Sequence, residues 1–215
     1  MNATAASTRE RILYEASQLF ARRGFHATTT REIAKAVGIR QPSLFHHFAS
    51  KDAILQALLA SDLDVALPAV RRLARGRGPA GPRLYRYVRD DVEHLARAPY
   101  NLAGLYTEEV IGSDAFVAWA RKRAALHASV ERIVCDGMRS GEFVSMPSAL
   151  VREAIAGILV RTLTLYSGGR HSSAALGDDV AAFVLRGLLT DPGALGEIRR
   201  AAAAEPQSMP ASNGS

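Results

Sequence analysis

The chain has 215 residues, 48% of them hydrophobic, with one cysteine and a formal net charge of +6. A single cysteine excludes an intrachain disulfide and a cysteine-cluster metal site. The opening MNATAASTRE lacks the apolar core of a signal peptide, and no uninterrupted apolar span of membrane length stands out, so the expectation is a cytoplasmic protein with no membrane partner. The positive charge is uneven: eight Lys/Arg stand against four Asp/Glu between Met1 and Asp52, a net of +4, which suits a polyanionic partner.

In chain order, the first helix is predicted at about Thr8 to Arg23, with Ile12, Ala16, Leu19 and Phe20 on one face and Gly24 ending it. In the next helix Thr29 caps and Glu32, three residues on, closes a capping box. Ile33 and Val37 share a face of that helix. Gly38 follows at the position where a left-handed backbone suits glycine. A further helix begins near Gln41 and buries Leu44 and Phe48, while the small Ala34 lets the two helices cross closely. This is a helix-turn-helix, whose second helix fits the DNA major groove.

Ser50 caps a long helix running toward Arg75 through Ile54, Leu55, Leu58 and Leu59. Pro68 is expected to kink it or end a turn there, and suggests a hinge. The basic stretch from Arg71 to Arg83 reads as a solvated loop. Further helices are predicted at about Pro82–Arg97, Leu102–Val110, Asp114–Ser140, Ser148–Ser167 and Leu176–Thr190, punctuated by glycine and proline. The alanine-rich, polar end is expected to be disordered.

The dense motif resembles the DNA-binding head of the TetR family of bacterial transcription regulators, through Phe20, Gly24, Phe25, Thr28, Thr29, Ile33, Ala34, Gly38, Leu44, His47, Phe48, Ser50 and Lys51. The resemblance implies an all-α fold: a three-helix helix-turn-helix head and a C-terminal helical bundle for ligand binding and dimerisation. The corresponding boundaries are a disordered arm at 1–7, the DNA-binding domain at 8–52, the ligand-binding and dimerisation domain at 53–198 and a disordered tail at 199–215. Two residues depart from the family pattern. Phe45 stands where the family usually has a tyrosine whose hydroxyl reaches a phosphate, and Arg40 stands where a serine or threonine commonly caps the recognition helix. Arginine cannot cap that way, and it is left to reach a phosphate or a base edge.

With the motif so placed, Gln41, Ser43 and His46 face the bases, and Gln41 is suited to adenine. Pro42 packs on a thymine methyl. Thr28, Thr30, His47 and Lys51 are assigned to phosphates. Two heads one DNA turn apart read a palindromic operator, so a homodimer is expected. Its four-helix interface, which the resemblance implies, draws on Ile155, Leu159, Thr162 and Tyr166 from one helix and Val180, Phe183, Val184 and Leu188 from the next. The resemblance also implies a small-molecule effector pocket, for which Tyr85, Tyr106, Phe116, Trp119, His127, Val130 and Tyr166 are candidates. The histidines lack a zinc ligand set and no phosphate loop or nucleophile elbow occurs, so no metal, cofactor or catalytic residue is assigned and no enzyme is expected. The reading is a repressor of transcription released by a mostly apolar effector. The alternative is a ligand-independent DNA-binding or architectural protein, or an activator.

Overall fold

The computed structural model describes residues 7–98, 100–101, 116–166 and 173–209. Among them nine α-helices occur: α1 Thr8–Arg23, α2 Thr30–Val37, α3 Gln41–Phe45, α4 Lys51–Arg75, α5 Ala80–Arg97, α6 Val117–Ser140, α7 Ser148–Tyr166, α8 Ser173–Leu188 and α9 Leu195–Ala203. The only extended pairing among the described residues is an isolated antiparallel bridge between Phe143 and Leu189. The helix predicted at Leu102–Val110 and the first six residues of the arm lie outside the described residues.

Local signals set the first helices. Ser7 caps α1 and forms a capping box with Glu10, so the seventh residue of the expected disordered arm is an ordered N-cap. Thr29 and Glu32 form the predicted box on α2, and the backbone amide of Thr29 holds the Glu32 carboxyl below its usual range. Gly38 ends α2 at φ 76°, and the N–H of Ile39 reaches back to the carbonyl of Ala34 at 3.0 Å.

The chain divides into two compact units. The first comprises residues 1–62 with 99–120 and the second residues 63–98 with 121–215. The first compact unit thus runs ten residues past the expected 52/53 boundary, to residue 62. The reason lies in α4: Ile54, Leu55, Leu58 and Leu59 are completely buried, and its first turns complete the head's core beside Ile12, Phe20, Ile33 and Leu44. Phe20 and Phe25 meet edge to face with centroids 5.2 Å apart.

By length and composition alone α4 is apolar enough to cross a membrane. Its leucines and isoleucine are instead buried inside the protein, the pattern of a core helix. Pro68 does not end it, because α4 continues to Arg75. Pro68 and Asp64 are both exposed, so water can serve the carbonyl that proline leaves without a donor.

In the second unit α5 is the central helix, packed most extensively on α8 and also on α7 and α9. The tail expected to be disordered from residue 199 is folded as far as Met209. Leu195, Ile198 and Ala202 bury one face of α9. The residues after α9 lie along α5, where the N–H of Ser208 donates to the buried Asp90 at 2.6 Å and Gln207 donates to Glu93 at 3.0 Å. Arg72 donates to the carbonyl of Ser208 at 2.7 Å and Arg86 pairs with Glu205. Buried carboxylates require partners, and this strap adds to those that Arg89 gives Asp90 at 2.8 Å and Arg97 gives Glu93 at 2.9 Å.

Candidate nucleic-acid interface

The first unit presents α3 as a short exposed rod on a buried footing. Leu44 is fully buried and Phe48 nearly so, with the Arg9 guanidinium over the Phe48 ring. Arg11 donates to the carbonyl of Val37 at the end of α2. The N-cap of α3 is Arg40, whose side chain makes no capping bond, as its chemistry requires. The start of α3 is tied down another way: the Gln41 amide donates to the Thr30 hydroxyl at 3.0 Å, linking the first residues of α3 and α2. Pro42 sits in the first turn, where its missing N–H costs nothing.

Arg40, Pro42, Phe45, His46 and His47 are exposed, and Thr30, Gln41 and Ser43 are half-buried. Phe45 leaves 45% of its surface open, unusual for a phenylalanine and consistent with a face that meets a partner. The helix stops at Phe45, so His46 is its C-cap and His47 lies in the following turn rather than on the rod. Arg31, which the sequence reading passed over, stands exposed beside Thr30 in the first turn of α2.

Two residues assigned to phosphates are committed elsewhere. Thr28 is fully buried, and its hydroxyl donates to the carbonyl of Gly24 at 2.9 Å. The Lys51 ammonium donates to the carbonyls of Phe25 at 2.7 Å and Thr28 at 2.8 Å, with His26 at 3.4 Å, and lies over the Phe25 ring. Burial lowers its pKa, against the attraction of Asp52. Lys51 thus closes the loop after α1. The signal missed was tertiary, since the three carbonyls lie more than twenty residues upstream.

The residues proposed for an effector are divided between the two units. Phe116 and Trp119 are buried and belong to the first unit, whereas Tyr85, His127 and Val130 belong to the second. Tyr106 and the side chain of Tyr166 lie outside the described residues. Tyr85 is a buried strut: its hydroxyl donates to Asp178 at 2.8 Å and accepts from Arg199 at 2.9 Å. Burial pushes its phenol up. His127 lies 3.9 Å from Glu153, and its pKa is lowered by burial and then by Arg123, with Glu153 opposing.

The apolar stripes of α7 and α8 are mostly spent within the protomer. Ile155, Leu159, Thr162, Val184 and Leu188 are buried and Val180 is half-buried, because both helices pack on α5. Little of the buried side chains is therefore left open to a partner subunit. Phe183 is the exception at 65% exposure, and it shares α8 with the open Gly187. On α7, Leu150, Ala154 and Gly157 form another exposed face, with open space beside Gly157.

Residues 12–58 match the family model for bacterial regulatory proteins of the tetR family, and residues 77–188 match that of a tetracyclin repressor-like C-terminal domain. The HTH-type transcriptional regulator UidR of Escherichia coli (strain K12) is 28% identical over 168 residues, covering 76% of this chain and 81% of UidR. The crystal structure of Mycobacterium smegmatis AmtR superposes with a TM-score of 0.76 at 30% identity, covering 94% of this chain and 96% of AmtR. The ketosteroid transcriptional regulator KstR2 of Mycobacterium tuberculosis superposes with a TM-score of 0.72 at 25% identity, over 87% of this chain and 98% of KstR2. In sequence, the HTH-type transcriptional repressor KstR2 of that species (strain H37Rv) is 48% identical over 58 residues, 27% of this chain and 29% of KstR2.

Proposed function

The chain belongs to the tetR family of bacterial regulatory proteins, and from that premise we propose that this DNA-binding transcription regulator is a repressor that binds a near-palindromic operator as a homodimer and is released by a small, mostly apolar effector. It is a regulator and not an enzyme. The observation that carries the proposal is the geometry of α3, anchored by the fully buried Leu44 while Arg40, Pro42, Phe45 and His46 face outward. A helix so held can enter a major groove without unfolding anything. Repression is supported by KstR2, a relative named as a repressor. An apolar effector is supported by the same relative's description as a ketosteroid regulator. The setting is the cytoplasm, where the DNA is.

A single head contacts few base pairs, so tight binding calls for two, about 34–36 Å apart on one face of the duplex. Release then requires only that the effector bind more tightly to a dimer whose heads no longer match that spacing. Within the head, Thr30, Arg31, Arg40 and His47 are assigned to phosphates, and Gln41 to a base edge. The bond from Gln41 to Thr30 uses one amide hydrogen and leaves the other, with the carbonyl oxygen, for an adenine.

Gln41→Ala is accordingly expected to cost roughly 1–3 kcal/mol of discrimination at one base pair of each half-site and to leave random-sequence binding almost unchanged. Fluorescence anisotropy on operator and scrambled duplexes measures both. Equal weakening on the two duplexes would remove Gln41 from base reading.

A further inference from the structure

The second unit contains an open cavity of about 550 Å³ that none of the effector candidates lines. Its walls come from the start of α5, the connection between α6 and α7, and the stretch from the end of α8 through α9. Pro79, Pro82, Leu189, Ala194 and Ile198 supply an apolar floor. Three carboxylates complete the lining, from Glu142, Asp191 and Glu197, and no Lys, Arg or His joins them. That is a marked inversion in a chain of 27 Lys+Arg and 21 Asp+Glu.

The cavity is held open by backbone ties rather than by loose side chains. The Glu142 carboxylate accepts the N–H groups of Ala80 and Gly81, each at 2.9 Å, fixing the α6–α7 connection to the first turn of α5. The N–H of Thr190 donates to the Glu142 carbonyl at 3.0 Å, and that of Val144 to Leu188 at 2.8 Å. Helix α9 is pressed on α5 so closely that a Cβ on Gly81 would lie 2.8 Å from the Ile198 side chain. A preformed site of this kind loses little in ordering when it is filled.

The three acids differ in what they have left to offer. Glu142 is engaged by two amides and the Ser140 hydroxyl, and Asp191 accepts the N–H of Gly193 with one oxygen. Glu197 is exposed and makes no side-chain bond among the described residues. We infer that the cavity binds a small organic cation, an apolar ring or chain bearing an ammonium group. The apolar body lies on Pro82, Leu189 and Ile198, and the nitrogen faces Glu197 and the free oxygen of Asp191. An anion of the same shape meets like charge, and a neutral analogue gains only the floor.

The test is calorimetric titration of the full chain with 1-naphthylmethylammonium, its neutral alcohol 1-naphthalenemethanol, and the anion 1-naphthoate. The cation is expected to bind at least tenfold more tightly than the alcohol, and the anion not at all. The double variant Glu197→Gln with Asp191→Asn is expected to bring the cation to the level of the alcohol. Ala201→Trp, which fills the cavity from an exposed lining position, is expected to abolish both. Should the tryptophan perturb folding, seen as a lowered melting temperature, Glu197→Gln alone carries the test. No binding of the cation, no preference over the alcohol, or binding that survives the filled cavity in a folded variant would overturn the inference. Operator affinity is measured alongside, so that loss of cation binding with intact DNA binding is read separately from any failure of the repressor proposal.

Discussion

Phe183→Glu is expected to give a folded monomer whose operator affinity is lowered by roughly a hundredfold or more, the factor lost when two linked sites become separate. Phe183 is 65% exposed in the protomer, so the change removes little internal packing and protomer stability is expected to stay within about 0.5 kcal/mol. Burying a phenylalanine against a partner is worth about 1.5–3 kcal/mol, and in a two-fold interface it enters twice. Gly187, one turn further along α8, has open space beside it and leaves room for close approach; Leu150, Ala154 and Gly157 on α7 are also exposed. Sedimentation equilibrium gives the mass, and thermal melting confirms the fold. A variant that remains a dimer would place the interface elsewhere, while Ile155→Ala should damage the fold itself because that side chain is core.

Lys51→Ala is expected to destabilise the head by about 2–4 kcal/mol: two well-formed charge-assisted hydrogen bonds are lost, at about 1.5–3 kcal/mol each, and the sum is discounted because the ammonium is only half-buried and partly screened by water. The carbonyls of Phe25 and Thr28 would be left without their donor, and the ring of Phe25 without its cation. Operator binding should fall in proportion to the unfolded fraction and recover on cooling or in stabilising osmolyte. The salt slope of binding should not change. A phosphate-binding lysine behaves in the opposite way: stability is kept, and the slope of log K against log salt shrinks by about 0.9. Chemical denaturation and a salt titration of the same variant separate the two roles.

These two residues show where the sequence was legible. The bounds of α1, the capping box of Thr29 and Glu32, and the left-handed Gly38 are all decided within a few residues, and each lies where the pattern placed it. Lys51 and Thr28 read as phosphate ligands because the local pattern of an exposed helix start is the same whether or not a distant loop turns back onto it. Likewise the periodicity of α7 and α8 marks apolar stripes but cannot say which neighbour covers them. Ile155 and Leu159 are buried inside the protomer, where α7 packs on α5, and Phe183, one step around α8 from the buried stripe, is left outside.

The C-terminal segment departs from its expected disorder for a different reason. Its alanine and polar residues resemble low complexity, although Leu195, Ile198 and Ala202 keep helical spacing. What orders the strap beyond α9 is the pair of buried acids on α5, Asp90 and Glu93, which besides Arg89 and Arg97 on their own helix take further partners more than a hundred residues later. The cavity beneath α9 follows from the same docking, and its acidic residues, scattered from 142 to 197, form no pattern along the chain.

The most direct measurement is footprinting of the full chain on duplex DNA from the region upstream of its own gene, repeated at low and physiological salt. The expected result is one protected near-palindrome with half-sites one helical turn apart, weakening steeply as salt rises and losing protection when the outward face of α3 is altered at Gln41. Protection of no discrete site even at low salt, or equal affinity for every duplex, would contradict the reading of α3 as a groove-entering helix.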